Sequence, residues 1–464
     1  VEEAAKRGIP YIRLNKASLV QLGYGVNQKR IRATIASTTS NIAVDIACNK
    51  EETKMLLEAA EIAVPRGTVI RTEEGLDEAI EKFKYPLVIK PIDGNHGKGN
   101  TTNIINRGQA LKAFEAAKAY SRSVIIERFI TGYDFRCLVI NNKFICAALR
   151  TPASVVGDGI HNIQWLIDET NRDPRRGFGH EKVLTQITID QFTQKMMDDA
   201  EITLDHIPSN GERVLLKPTA NLSTGGTSTD VTDEVHPANI FMFERIARII
   251  GLDICGIDVM AMDLKTPVAE NGGAILEVNA APGFRMHIEP AEGLPRNVAE
   301  PVVDMLFPKG SIGRIPIIAI TGTNGKTTTT SLVGEIFKTA KCDTYVVGNI
   351  GKPVIETVGI ADEKSFLITE LSSFQLESIV EFKPKVSMIL NLSPDHLNRH
   401  HTMENYIMAK ANIFKNQDEN DFTILNYDDE AVRALSTKCN SQVLYFSRKH
   451  QGVRGVYVNN EGNI

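Results

Sequence analysis

Two segments of this 464-residue chain carry the residue types that handle nucleotide phosphates. The more sharply patterned is IPIIAITGTNGKTTTT, residues 315–330, where an apolar strand ends in Gly322, Thr323, Asn324, Gly325, Lys326, Thr327 and Thr328 before a helical run. Backbone N–H groups of such a loop and of the helix start face phosphate oxygens, the lysine offsets their charge, and the hydroxyl after it reaches magnesium. The longer GxxxxGK pattern does not hold, since its first glycine would fall on Ile320. The second segment is PLVIKPIDGNHGKG, residues 86–99, in which Lys90 closes an apolar strand and Gly94, Gly97 and Gly99 allow a backbone N–H cradle. A glycine-rich turn is common on its own. Distant carboxylates give this one weight: GIDVM and ILEVN are strand-like and present Asp258, Glu277 and Asn279, an all-oxygen set suited to Mg²⁺ on ATP phosphates. KPTANLSTGGTSTD, residues 217–230, adds Asn221, Ser223, Gly225 and Gly226, a hydroxyl- and amide-rich loop that fits an acyl phosphate or a carboxylate and equally fits a plain surface loop.

Strand-like apolar runs alternating with helical patterns must position these groups, which predicts an α/β and α+β multidomain protein. PLVIKP, SVIIERF, IPIIAITG, SFLITEL, VSMILNLS and DFTILNY read as strands. CLVI-NN-KFICAALR reads as a hairpin, because two Asn tolerate the left-handed conformations of a tight turn. NIFMFERIARIIGL reads as an amphipathic helix closed by Gly251. Pro308, Gly310, Gly313 and Pro316 cluster before a new strand, which divides the chain into domains 1–310 and 311–464. Residues 150–190 mix Gly, Pro and charges around a short helix and are expected to form a lid-like insertion that packs the only tryptophan, Trp165.

Composition narrows the partners. Lys and Arg number 52 against 57 Asp and Glu, a net charge of -5, so no broad positive field exists to bind nucleic acid. No apolar run approaches the roughly 18 to 20 residues that span a bilayer, and the start lacks a signal-peptide core, so no membrane partner is expected. Six scattered cysteines without CxxC pairing suit a reduced, cytoplasmic protein. The chain also begins without Met, as a trimmed sequence would.

Downstream of TGTNGKTT stand VVGNIGKP, ITELSSFQLE, NLSPDHLNRHHTMENYIMAKANIF and ILNYDD, in an order that resembles the central ATP-binding domain of the Mur ligases. The resemblance implies that Lys326 cradles phosphates, Thr327 and Glu370 hold one magnesium, His396 holds a second, Asn426 lies near the base and Asn349 faces the acyl substrate. It also implies that Lys410 is carbamylated and thereby turned into a magnesium-binding anion. His400 and His401, being adjacent, face different ways and are given no metal role. The order K-P, Gly-rich loop, IIERF, D and EVNAAPG is similar to the ATP-grasp fold. That implies Lys90 and Lys217 on phosphates, Glu127 at the adenine or ribose, and Asp258, Glu277 and Asn279 on magnesium. D-alanine ligases of that fold carry an arginine two residues before the magnesium aspartate. Gly256 stands there instead, leaving Arg285 in PGFRMH or Arg136 in YDFRCLV to bind a carboxylate or oxyanion.

An ATP-grasp module followed by a Mur-like module is the arrangement of the cyanophycin synthetase family. The resemblance implies Asp, Arg and a growing Asp–Arg polymer primer as partners, two ligations through acyl phosphates, a homo-oligomer, and further domains on both sides of the segment given. A bifunctional ligase for other amino acids, or a non-catalytic nucleotide-binding scaffold, shares these motifs.

Overall fold

The structure, a computed structural model, describes residues 1–92, 99–179, 181–362, 364–459 and 461–464. Its contacts divide the chain into two units. The first comprises residues 13–20 and 30–309, and the second 1–12, 21–29 and 310–464. The division at Gly310 falls in the Pro- and Gly-rich stretch, while two short N-terminal segments group with the second unit.

The first unit contains a four-stranded antiparallel sheet in the order Gly67–Ile70, Val124–Arg128, Leu87–Pro91, Thr101–Ile104. Leu87, Ile89, Ile126, Leu76 and Phe114 form its core beneath helices Glu73–Phe83 and Arg107–Lys118. A five-stranded antiparallel sheet follows, ordered Thr227–Asp230, Lys143–Thr151, Tyr133–Ile140, Ile254–Ala261, Ala274–Asn279. Alternation along these strands sends Phe135, Cys137, Val139, Ile257 and Val259 into a core with helix Pro237–Ile250. The intervening positions carry Arg136 and Asp258, register partners, with Glu277 opposite Asp258 on the next strand. The Asn141–Asn142 turn has φ of 51° and 59°, and Gly251 ends its helix at φ 84°, as their types require.

Residues 150–190 do not stop where their composition suggests. Ala153, Val155, Ile163, Leu166, Ile187, Met197, Val214 and Leu216 share one core, so the ordered insertion runs on through a strand pairing of Ser154–Val156 with Arg213–Leu215. Trp165 is not packed in that core as expected: it is exposed on helix Ile163–Asn171 and stacks on His161 with ring centroids 3.6 Å apart.

The second unit is built on a seven-stranded sheet in the order Thr344–Gly348, Phe366–Glu370, Ile317–Thr321, Val386–Ile389, Phe422–Asn426, Gln442–Ser447, Gly455–Tyr457. All six of its pairings are parallel, which explains the nearly unbroken apolar strands read from the sequence. Strand order reverses around Ile317–Thr321, and the carboxyl end of that strand is where an open parallel sheet offers a crevice to ligands.

Candidate active sites

At that strand end Thr321 leads into the glycine loop and helix Lys326–Thr339. Gly325, at φ 78°, occupies the left-handed conformation from which the helix starts, so its N-terminal N–H groups stay available to an anion. Asn391 shapes the loop from the neighbouring strand end, its Oδ1 accepting from the N–H groups of Thr323 (3.1 Å) and Asn324 (2.8 Å). Lys326 Nζ donates to the Thr323 carbonyl at 2.8 Å, and Thr328 is exposed on the helix's first turn.

Glu370, 2 % exposed, ends the adjacent strand and accepts from Thr327 Oγ1 at 2.9 Å and from Asn349 Nδ2 at 3.0 Å. Asn349 reaches it after Gly348, where any Cβ would fall on the Glu370 carbonyl oxygen. Lys410 lies on helix Met403–Ala411 and is buried, donating to the Gly322 carbonyl at 2.9 Å and to Thr321 Oγ1 at 3.3 Å. Burial first, then the Lys326 charge, pushes its ammonium down to about 8. His396 is half exposed with Asp395 beside it, and its ring tilts against Phe374 with centroids 4.9 Å apart. Asn426 caps the next strand end, bonds the Leu390 carbonyl at 2.9 Å and lines a 740 Å³ recess with Asp428 and Lys449. Among the described residues no three His, Cys, Asp or Glu side chains converge as a self-sufficient metal cluster. One carboxylate and one hydroxyl in direct contact fit Mg²⁺ instead, an ion that keeps water and phosphate oxygens as its remaining ligands.

In the first unit, Lys90 bonds Glu127 at 2.5 Å across neighbouring strands, and Lys54 approaches the same carboxylate at 3.7 Å. Lys54 comes from helix Lys50–Ala59, and burial lowers its ammonium against the pull of Glu127. These three line a 270 Å³ cavity together with Glu277 and Val278. Glu277 makes no hydrogen bond or ion pair to another described residue, so its carboxylate is open to a cation. Asp258 is differently placed. It is buried and bound to the Arg136 guanidinium, with Arg150 Nη2 on its other oxygen at 2.9 Å. Burial would raise its carboxyl, but the two arginines outweigh that and hold it below the usual carboxylate range.

The vacancy left by Gly256 is filled in an instructive way. A Cβ there would lie 2.6 Å from Pro282 Cβ and 3.5 Å from Arg136 Cδ, so Arg136 on the neighbouring strand runs past the place the missing side chain would take. Arg285 instead bonds the Lys182 carbonyl at 3.1 Å and Thr185 Oγ1 at 3.4 Å. Asn279 has a buried Nδ2 with no described partner. Lys217 Nζ is buried 2.6 Å from Asp190 Oδ1, an ion pair without hydrogen-bond alignment.

The 217–230 loop is built rather than merely exposed. Gly225 has φ 97° and a Cβ there would press on Ile187, while one at Gly226 would press on the Asn221 and Thr151 carbonyls. Buried Arg176 donates to the Gly225 carbonyl at 3.1 Å. Ser223 stays exposed on the short helical turn Leu222–Thr224, and Asn221 turns back on Thr219. Gly99, at φ 71°, ends the first phosphate loop against Tyr120, and Gly94 and Gly97 lie outside the described residues.

Residues 55–144 match the ATP-grasp domain family, and residues 320–462 match the Mur ligase middle domain. The chain joins an ATP-grasp domain to a Mur ligase middle domain. It is 44% identical to the cyanophycin synthetase of Trichormus variabilis over 99% of its own length and 54% of that protein's. The chain thus spans about half the length of the curated relatives it matches across its whole extent. A stretch of 147 residues is 69% identical to the UDP-N-acetylmuramoylalanine–D-glutamate ligase of Clostridioides difficile, covering 32% of this chain and 33% of that one. The crystal structure of a bifunctional glutathione synthetase from Pasteurella multocida superposes with a TM-score of 0.51 at 31% identity, over 65% of this chain and 41% of that one.

In the Mur-type unit the fold therefore gathers Lys326, Thr327, Glu370, Asn349 and Lys410 at one strand end. Asn391, two residues past strand Val386–Ile389, was not legible as a loop-shaping residue, although the NLSPDH motif contains it. In the ATP-grasp unit Lys90, Glu127 and Glu277 share one cavity, and Asp258 and Arg136 meet as a pair. Lys54 and Arg150 carry no motif signal, because helix Lys50–Ala59 and strand Lys143–Thr151 lie far in sequence from the groups they meet.

Proposed function

We propose that the protein performs two successive ATP-dependent ligations on one acceptor, as a cyanophycin synthetase would. In the first, a backbone carboxylate oxygen attacks the γ-phosphorus of ATP, ADP leaves, and the amine of Asp displaces phosphate from the acyl phosphate with loss of a proton. In the second, the new side-chain carboxylate is activated the same way and takes the amine of Arg. Magnesium, when bound, offsets charge on the transferring phosphoryl group. Lys90, Lys54 and Lys217 supply cations to the first nucleotide, Glu277 and Asn279 face its metal, and Arg136 and Arg285 are the groups for the acceptor carboxylate beside Asn221 and Ser223. In the second site Lys326 and the loop N–H groups hold the phosphates. Thr327, Glu370, His396 and a carbamate on Lys410 serve the metals, and Asn349 orients the acyl group.

The observation that carries this reading is the similarity to a cyanophycin synthetase along nearly the whole chain. ADP release should require Asp at the first site and Arg at the second, in the presence of an Asp–Arg primer. A second reading rests on one specific observation, the higher local identity to a D-glutamate-adding ligase. On that reading the Mur-type site takes a UDP-N-acetylmuramoyl-alanine acceptor and D-glutamate. ADP release that responds to D-glutamate and that acceptor, and not to Arg, would decide for it.

A further inference from the structure

His287 belongs to the short helix Arg285–Ile288, which follows the EVNAAPG segment over the polar face of the five-stranded sheet. Its backbone is fixed on both sides. Ser228 Oγ donates to the Met286 carbonyl at 3.2 Å, and Arg296 N donates to the His287 carbonyl at 2.8 Å. Met286 itself is packed against Ala148 and Leu222, the latter in the 217–230 loop. The imidazole is 2 % exposed, yet neither ring nitrogen has a hydrogen-bond partner among the described residues. Burial, reinforced by Arg136 and Arg150 and opposed by Asp230, holds it down to about 3, so the ring is uncharged. Arg296 in turn neutralises Asp230, at 2.6 Å.

A buried donor and a buried acceptor left unpaired disfavour the folded state, and a leucine of similar size would avoid that cost. Met286, its chain neighbour, packs on Ala148, which is the register partner of Arg136 and lies two residues before Arg150 on the same strand, so the helix carrying the ring sits over the two guanidiniums that hold Asp258. Each of these has its Nη1 without a partner among the described residues. We propose that His287 is a substrate-binding residue of the first site, its uncharged imidazole donating one N–H to the acceptor carboxylate that Arg136 and Arg150 attract. An uncharged donor adds a third hydrogen bond to that carboxylate without placing a third cation beside Asp258. The assignment rests on the reading of the first unit as a carboxylate-activating ATP site.

The test compares wild type with His287→Leu and His287→Asn, using ATP, Asp and an Asp–Arg primer, with ADP release and thermal unfolding as readouts. His287→Leu should match or exceed wild type in Tm and keep its KM for ATP, while the KM for the primer rises about tenfold or more. His287→Asn, which restores one N–H, should recover part of that loss. A primer KM within twofold of wild type in His287→Leu overturns the proposal. So does a joint fall in Tm and ATP affinity, which would make the ring a structural group. Wild type that releases no ADP with Asp and primer overturns the first-site reading, and the His287 role with it, whereas active wild type beside an unaffected His287→Leu overturns only the latter.

Discussion

Lys410 shows how position changes the chemistry of one side chain. On an exposed helix face an ammonium stays protonated at neutral pH. Here burial and Lys326 bring it down to about 8, so on the order of a tenth is free amine at pH 7, enough to react with CO₂. The carbamate proposed for it should therefore form more fully as pH rises from 7 to 9, followed as a ¹³C signal from labelled bicarbonate. Lys410→Ala should abolish ADP release at the Mur-type site, and a short carboxylic acid should restore part of it. Failure of bicarbonate to label the wild type would remove the carbamate. The same shift has a stability consequence. Between about 8 and the ordinary 10.5 the unfolded state binds the proton and the folded state does not, so stability contributed by this group rises with pH across that window. Lys410→Met should flatten that slope in unfolding measured by denaturant. Most residues proposed for the Mur-type site were legible as candidates because motif spacing ties them to strand ends, as with Thr327 and Glu370, which the fold brings into contact. The adjacent His400 and His401 do face differently: His401 is exposed, and His400 is buried between Ser373 Oγ (3.0 Å) and Glu377 Oε1 (3.1 Å). Sequence spacing cannot show such a bridge, because Ser373 and Glu377 arrive from another helix.

Elements hold these groups through contacts that composition does not reveal. In the Mur-type sheet Ser387 and Thr423 are register partners, and both hydroxyls turn to Gln417 Oε1, at 3.0 and 2.8 Å, with Ser441 joining at 3.2 Å. Gln417 Nε2 also bonds the Pro384 and Phe422 carbonyls. All four polar residues are buried, so Gln417→Leu should destabilise the unit by about 2–4 kcal/mol, since it leaves two carbonyls without their donor and the three hydroxyls without their shared acceptor. A loss under about 0.5 kcal/mol in denaturant unfolding would show that the hydroxyls satisfy one another. The strands themselves were readable from their apolar runs, and the Asn–Asn hairpin from its turn residues. The reach of the insertion was not, because its core joins Val155 to Val214 and Leu216 across a long sequence separation. Hydrophobic periodicity reports which face is buried and not which distant segment buries it.

For the whole molecule, the two proposed nucleotide sites lie in different units, with Lys90 in the first and Lys326 in the second. Each should therefore be silenced alone. Lys326→Ala should end Arg-dependent ADP release while Asp-dependent release continues on an Asp–Arg primer, and Lys90→Ala should do the reverse on a primer ending in Asp. Loss of both activities in either soluble, folded variant would contradict two independent sites. The most direct measurement is mass analysis of the product formed by the purified protein from ATP, Asp, Arg and a primer. The account predicts alternating gains of one Asp and one Arg residue, with one ADP released per residue added. A product that gains neither, or a second-site product that appears only with D-glutamate and a UDP-linked acceptor, would contradict it.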